Sequence, residues 1–191
     1  MTNGWQVSKL YDISAGVFAE RGDGAAVLDL RRQQHERAPT SSTYSLLQKA
    51  ANAVDTWPSE RARAREVLGA RDPGGLIDAL LADGDIDTAW ETATAPGATG
   101  MNDQRWGRLA EAREPDDPAG ALRVYIRLVE PTLERADKRN YRVAVKQLKA
   151  ARQAAEAAGL PEEFDEHLAA LREQHRRRPT LIEMLDRAKL G

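Results

Sequence analysis

Side chains able to do chemistry are few in this 191-residue sequence. Asp83-Gly84-Asp85-Ile86-Asp87 groups three carboxylates at the alternating spacing of a calcium loop. Such a loop needs glycine at its sixth position and glutamate at its twelfth. Those positions hold Thr88 and Thr94, so the segment reads as a turn, with Asp85 capping the next helix and Asp87 favouring its positive end. The three histidines, His35, His167 and His175, have no His or Cys partner three or four residues away, and His167 and His175 lie too far apart for a shared metal site. They read as structural surface histidines. There is no cysteine, which removes disulfides, thiolate zinc sites, iron–sulfur clusters and a cysteine nucleophile together. Nucleophile-elbow, Walker and dinucleotide-binding patterns do not occur. Glu162-Glu163 and Asp116-Asp117 fall at helix starts, where acids complement the helix dipole. Arg21-Gly22-Asp23 reads as a helix end followed by a turn. The expectation is a protein with no catalytic residues, no metal and no cofactor.

The basic residues carry the one positive signal. From Lys138 to Arg152 there are six cations (Lys138, Arg139, Arg142, Lys146, Lys149 and Arg152) and no acid. Helical spacing sets Lys138, Arg142, Lys146 and Lys149 on one face, opposite a stripe containing Tyr141 and Leu148. A second cluster comprises Arg172, Arg176, Arg177 and Arg178 beside His175. These eight residues are the candidate nucleic-acid contacts, acting on backbone phosphates. No aromatic residues interleave with them, so stacking on single-stranded bases is not expected. A solvated helix face is the plain alternative. Trp5, Trp57, Trp90 and Trp106 are spread along the chain as packing residues between neighbouring helices.

The elements that position these groups are helices. Tyr44, Leu47, Ala51 and Val54 step by three, four and three, and the stripes Leu122/Tyr125/Ile126/Val129/Leu133, Tyr141/Ala144/Val145/Leu148/Ala151 and Phe164/Leu168/Leu171 behave alike. Breaks are expected at Gly22–Gly24, Pro39–Ser42, Trp57–Ser59, Asp72–Gly75 and Asp83–Asp85. Asp117 caps a helix with Pro118 at its first position, Gly159 ends the next before Pro161, and Thr180 with Glu183 forms a capping box. Pro131 should kink or split its helix. Ten or eleven short helices result. Starts near Pro118, Asn140 and Pro161 recur at about 21 or 22 residues, so two steps make a helix pair of tetratricopeptide size. The fold class expected is all-α, with antiparallel helix pairs stacked as a short TPR-like or HEAT-like α-solenoid. The chain reads as a single helical-repeat domain over 1–191, or as two sub-bundles, 1–95 and 101–191, divided by the loose segment from Ala95 to Gly100.

The run Tyr141-Arg142-Val143-Ala144-Val145-Lys146-Gln147-Leu148, then Phe164, then Leu171-Arg172-Glu173-Gln174-His175-Arg176-Arg177-Arg178-Pro179, Leu181 and Leu185-Asp186-Arg187-Ala188 resembles the helical C-terminal region of bacterial SWIM zinc-finger family proteins. Leu80-Leu81-Ala82-Asp83-Gly84-Asp85 with Ala89-Trp90 is similar to the helix pairs preceding that region. The resemblance covers roughly residues 57–190. The family's zinc motif uses Cys and His, and this chain lacks cysteine, so zinc binding is carried over to no residue. What the resemblance implies is an α-solenoid with no catalytic residues to transfer, either as a separate helical module or as part of a longer zinc-binding protein.

Composition agrees with a soluble, ordered chain: 41% hydrophobic, 30% charged and 5% aromatic, with a net charge of −2. Residues 136–191 hold 12 Lys/Arg against 9 Asp/Glu, and the remaining 16 basic and 21 acidic residues make the first 135 positions acidic. Met1 to Tyr11 has no apolar run behind a basic start, and no stretch is apolar enough to span a bilayer. A cytoplasmic, non-catalytic scaffold for protein–protein interaction is the first functional expectation, with an unidentified protein partner. An accessory nucleic-acid-binding module using the basic C-terminal surface is the alternative.

Overall fold

The computed structural model describes residues 4–190, with side chains from Gln6 to Leu190. Among them are eleven helices and no strand: α1 (Gly4–Glu20), α2 (Gly24–Arg37), α3 (Ser41–Asn52), α4 (Trp57–Arg71), α5 (Pro73–Ala82), α6 (Ile86–Thr94), α7 (Asp103–Arg113), α8 (Pro118–Leu133), α9 (Lys138–Ala158), α10 (Pro161–Gln174) and α11 (Pro179–Arg187). The chain is all-α, as its apolar spacing requires. It forms two compact units, Met1–Met101 and Asn102–Gly191. No described helix is long and apolar enough to cross a membrane.

In the first unit each helix packs on its sequence neighbour, and α2–α4 and α3–α5 also touch. This neighbour-on-neighbour pattern is how amphipathic helices too short to be stable alone cover one another. Leu28, Tyr44, Leu47, Ala51, Ala64 and Leu68 form the core of α2, α3 and α4, with Trp57 edge-on to Tyr44 at 5.3 Å between ring centroids. Trp57 opens α4, so the break lies just before it rather than at Trp57–Ser59. The side chain of Trp5 falls outside the described residues. Arg21-Gly22-Asp23 is a turn: Gly22 has φ 71°, and the Asp23 carboxylate accepts from Ala26 N at 3.0 Å to cap α2.

Polar groups clasp this unit at two points, one buried and one half-buried. His35 is 1% exposed, not a surface residue as its isolation in the sequence suggested. Its Nε2–H donates to the Ala64 carbonyl (2.9 Å) and its Nδ1 lies 3.0 Å from the Thr43 hydroxyl, which joins α2, α3 and α4. Burial lowers its pKa, so the ring is held neutral. The second clasp is centred on Arg65 in α4. It pairs with Asp83 (2.8 Å) and Asp85 (2.6 Å) and donates to the Tyr44 hydroxyl (3.2 Å), while Tyr44 and Gln48 each donate to Asp83 at 2.7 Å. The Asp83-Gly84-Asp85 turn is thus an anchor for a guanidinium. Asp85 stands at the N-cap of α6, and bonding to Thr88 in the first turn and to Arg65 holds its carboxyl below the usual range.

The second unit is organised around α8, whose buried residues Ala121, Leu122, Val124, Tyr125, Leu128, Val129 and Leu133 face α7 and α9. The partner stripe on α9 is Tyr141, Ala144, Leu148, Ala151, Ala154 and Ala155, and its alanines let the two backbones approach closely. Helices α10 and α11 pack on α9. Asp117 caps α8 as expected, accepting from Gly120 N at 2.8 Å, and Gly159 ends α9 at φ 70°. α9 starts at Lys138, capped by Asp137, two residues before the expected Asn140. Pro131 splits nothing: it lies in the last turn of α8, which stops two residues later. Nor is there a Thr180/Glu183 capping box. Pro179, with its φ preset for a helix, takes the first helical position, which makes Arg178 the N-cap and moves Thr180 inside α11.

Candidate binding groove and basic face

On α9 the buried stripe and the cations are separated by the helix's own geometry. Lys138, Arg139, Arg142, Lys146 and Lys149 are all exposed, whereas Tyr141, Ala144 and Leu148 are sealed against α8. None of the five cations has an ion pair or side-chain hydrogen bond among the described residues. The helix supplies no acid between Lys138 and Ala155. Lys138 and Arg139 moreover occupy the first turn of α9, the positive end of the helix dipole, where a cation is unfavourable. Local stability therefore gives no reason for this face.

The second cluster is arranged differently. Arg172 donates to the Leu190 carbonyl at 2.8 Å and pairs with Asp186 at 2.7 Å, tying α10 to the chain after α11. Arg178 donates to the Leu133 carbonyl at 2.7 Å, at the C-terminal end of α8. Arg176 pairs with Glu173 at 2.6 Å on the surface, and only Arg177 of the four is exposed without a partner among the described residues. Arg152, at the far end of the α9 run, likewise donates to a carbonyl, that of Lys189 (3.0 Å). Lys138, Arg142, Lys146 and Lys149 are thus brought together as an open row. Arg172 and Arg178 are committed to backbone carbonyls within the unit.

Beside that row lies a groove of about 560 Å³ between α7 and α9, floored by α8. The α7 wall presents Asp103, Gln104, Gly107, Arg108, Glu111 and the C-cap residue Glu114, three acids with one guanidinium among them. The α9 wall presents Val143, Lys146, Gln147, Lys149, Ala150 and Gln153, and Tyr125 and Leu128 form the floor. Val143 is 43% exposed. The Tyr125 hydroxyl donates to Glu114 at 2.8 Å, and burial together with that bond raises the pKa of Tyr125 well above its ordinary value. The floor is therefore a neutral phenol. Gln147 Oε1, in the α9 wall, is buried and has no hydrogen-bond partner. The groove thus has a basic wall, a wall of three acids with Arg108 among them, and a floor of Tyr125 and Leu128, which are themselves mostly covered. Sequence periodicity flagged the basic wall alone, because only the fold shows which helix stands opposite it.

The histidines do not converge on a site. His175 is 6% exposed, with Nε2 3.4 Å from Glu130 Oε2, and His167 is half-buried with its pKa lowered by burial. No group of three or more His, Asp or Glu suited to a metal ion occurs among the described residues. Trp106 stacks against the Arg127 guanidinium, 4.1 Å from ring centroid to carbon, which fits a packing role. No family model matches the chain, and no curated protein matches it significantly.

Proposed function

We propose that this protein is a non-catalytic helical-repeat scaffold, its helix pairs stacked in TPR-like fashion, that holds a segment of a protein partner in the groove between α7 and α9. One observation carries the reading: the exposed Val143 and the groove beside it lie next to cations that have no partner among the described residues. Grooves between helices typically take a partner through a few apolar anchors, with charges at the rim setting orientation. The α7 wall argues against a polyanion in the groove, because phosphates would meet Asp103, Glu111 and Glu114 against the single guanidinium of Arg108. The resemblance to the helical C-terminal region of SWIM zinc-finger family proteins belongs to the same proposal, as does a cytoplasmic setting.

A second reading keeps nucleic acid as the ligand, since Lys138, Arg139 and Arg142 continue the unpaired row past the groove. Capture of partners from native lysate, with and without nuclease, separates the two. A stoichiometric protein retained after nuclease, and lost with Val143→Asp, supports the scaffold. Complete loss on nuclease treatment, or retention by Val143→Asp, rejects the groove as its site.

A further inference from the structure

We infer that the occupant of the α7–α9 groove is an amphipathic helix of a partner protein, about ten residues long, apolar toward the floor and acidic toward α9. The inference rests on the scaffold reading above. Length comes from the walls: Val143 to Gln153 on α9 and Asp103 to Glu114 on α7 each span about 15–17 Å at helical rise. A helix of that reach has about three turns.

Helical conformation follows from what the groove lacks. Its walls are helices, whose backbone groups are already bonded, so no sheet edge is offered. An extended segment lying on Tyr125, Leu128 and Val143 would depend for its N–H and C=O groups on the side chains of the walls, such as Gln104, Gln147 and Gln153, with no backbone ladder to pair with. A helix satisfies its own backbone and needs only side-chain complementarity. Lying beside α7 and α9 over α8, it would add one more layer to packing of the same kind.

Polarity follows from the two walls. Lys146 and Lys149 line the groove as exposed, unpaired cations, so the occupant's edge against α9 is acidic. Across the groove stand Asp103, Glu111 and Glu114 with Arg108 among them, a wall whose net negative charge disfavours an acidic edge and accepts a basic one. The occupant is therefore two-edged, and its acidic edge fixes its orientation.

The test is a selection of phage-displayed random twelve-residue peptides on the full chain, followed by anisotropy titration of the winners as fluorescein-labelled peptides. The inference expects clones rich in Asp or Glu, with Leu, Ile or Phe three and four residues apart. Their affinity should fall at least tenfold with Val143→Asp and with Lys146→Glu/Lys149→Glu. Peptides with the acids exchanged for lysine should recover binding to the doubly reversed variant. All three side chains are exposed, and circular dichroism of each variant verifies that the helices persist. Clones that depend on Val143 but carry no acidic excess would overturn the acidic helix and leave the groove reading intact. Acidic clones indifferent to Val143→Asp would show adhesion to the basic face and overturn the seated helix. No clone dependent on Val143 would end both readings. A labelled twenty-nucleotide single strand that binds more tightly than any peptide, with steep salt dependence, would replace the helix by nucleic acid.

Discussion

Replacing Arg65 by methionine probes the polar clasp of the first unit. Methionine keeps the stem that packs along α4 and deletes the guanidinium. Three bonds disappear, to Asp83, Asp85 and the Tyr44 hydroxyl. The Asp83 side chain is only 8% exposed, so its carboxylate cannot simply rehydrate, whereas the Asp85 side chain is 33% exposed and can. Stripping the partner from a buried ion pair costs about 3–5 kcal/mol when the remaining charge is uncompensated. Here Tyr44 and Gln48 still donate to Asp83. Two retained donors lower the expected cost to about 2–3 kcal/mol. Burial opposes the charge on Arg65, but its bonds to Asp83, Tyr44 and Asp85 outweigh that and raise its pKa, while burial and the Asp83 bond push Tyr44 up to about 12. Arg65 thus stays charged and Tyr44 neutral through the neutral range. Native-state hydrogen exchange read by mass spectrometry should show amides of α3 and α4 exchanging about 30- to 150-fold faster in R65M, the same energy expressed as a ratio. The double variant Arg65→Met/Asp83→Asn should be more stable than the two single losses summed, since each removes the same pair. A cost below about 0.5 kcal/mol would place the pair among exposed surface bridges and refute the reasoning.

Three further outcomes follow from the same geometry. His35 has a folded-state pKa below its ordinary 6.5 because it is buried, so the unfolded chain binds the proton first as pH falls. Its contribution is complete above about pH 6.5 and declines as pH drops toward the folded value; urea midpoints at pH 7.5 and 5.5 should differ more in the wild type than in His35→Gln. Gly159 and Gly100 both have positive φ, but a Cβ at Gly159 meets nothing within 4 Å, while one at Gly100 would lie 2.8 Å from Gly74 Cα. Gly159→Ala should cost about 1 kcal/mol from backbone strain alone, and Gly100→Ala clearly more, as thermal unfolding would record. Replacing Lys138 and Arg139 by glutamate relieves two cations at the positive end of α9. Each change should stabilise by about 0.3–1 kcal/mol in low salt, and unchanged or lowered stability would contradict the dipole argument.

Much of the fold was legible because helix formation here is a local matter repeated many times. Leu122, Tyr125, Val129 and Leu133 lie on one face by spacing alone, and all four are buried on α8. Asp117 before Pro118 and Gly159 before Pro161 define boundaries through backbone chemistry that needs no tertiary partner. The Thr180/Glu183 reading failed because two local signals competed and proline took the first helical position. His35 was misjudged for another reason. Its partners, Thr43 and the carbonyl of Ala64, lie eight and 29 residues away, on two other helices.

The same distinction decides which basic residues are available for binding. Arg172 and Arg178 look like a surface cluster because their partners are invisible in the sequence: they are main-chain carbonyls 18 and 45 residues distant. Any residue type supplies a carbonyl, so no pattern of side chains announces one. The α9 row needed the structure in the opposite sense, because an unpaired cation is recognised only after every neighbouring helix has been placed. Once α10 and α11 are packed on α9, Arg152 is drawn to the Lys189 carbonyl, while Lys138, Arg139, Arg142, Lys146 and Lys149 have no partner among the described residues. Two of those residues oppose the helix dipole, and two line the α7–α9 groove. Under the proposed scaffold reading, these cations and the exposed Val143 beside them are the groups that a partner helix would meet.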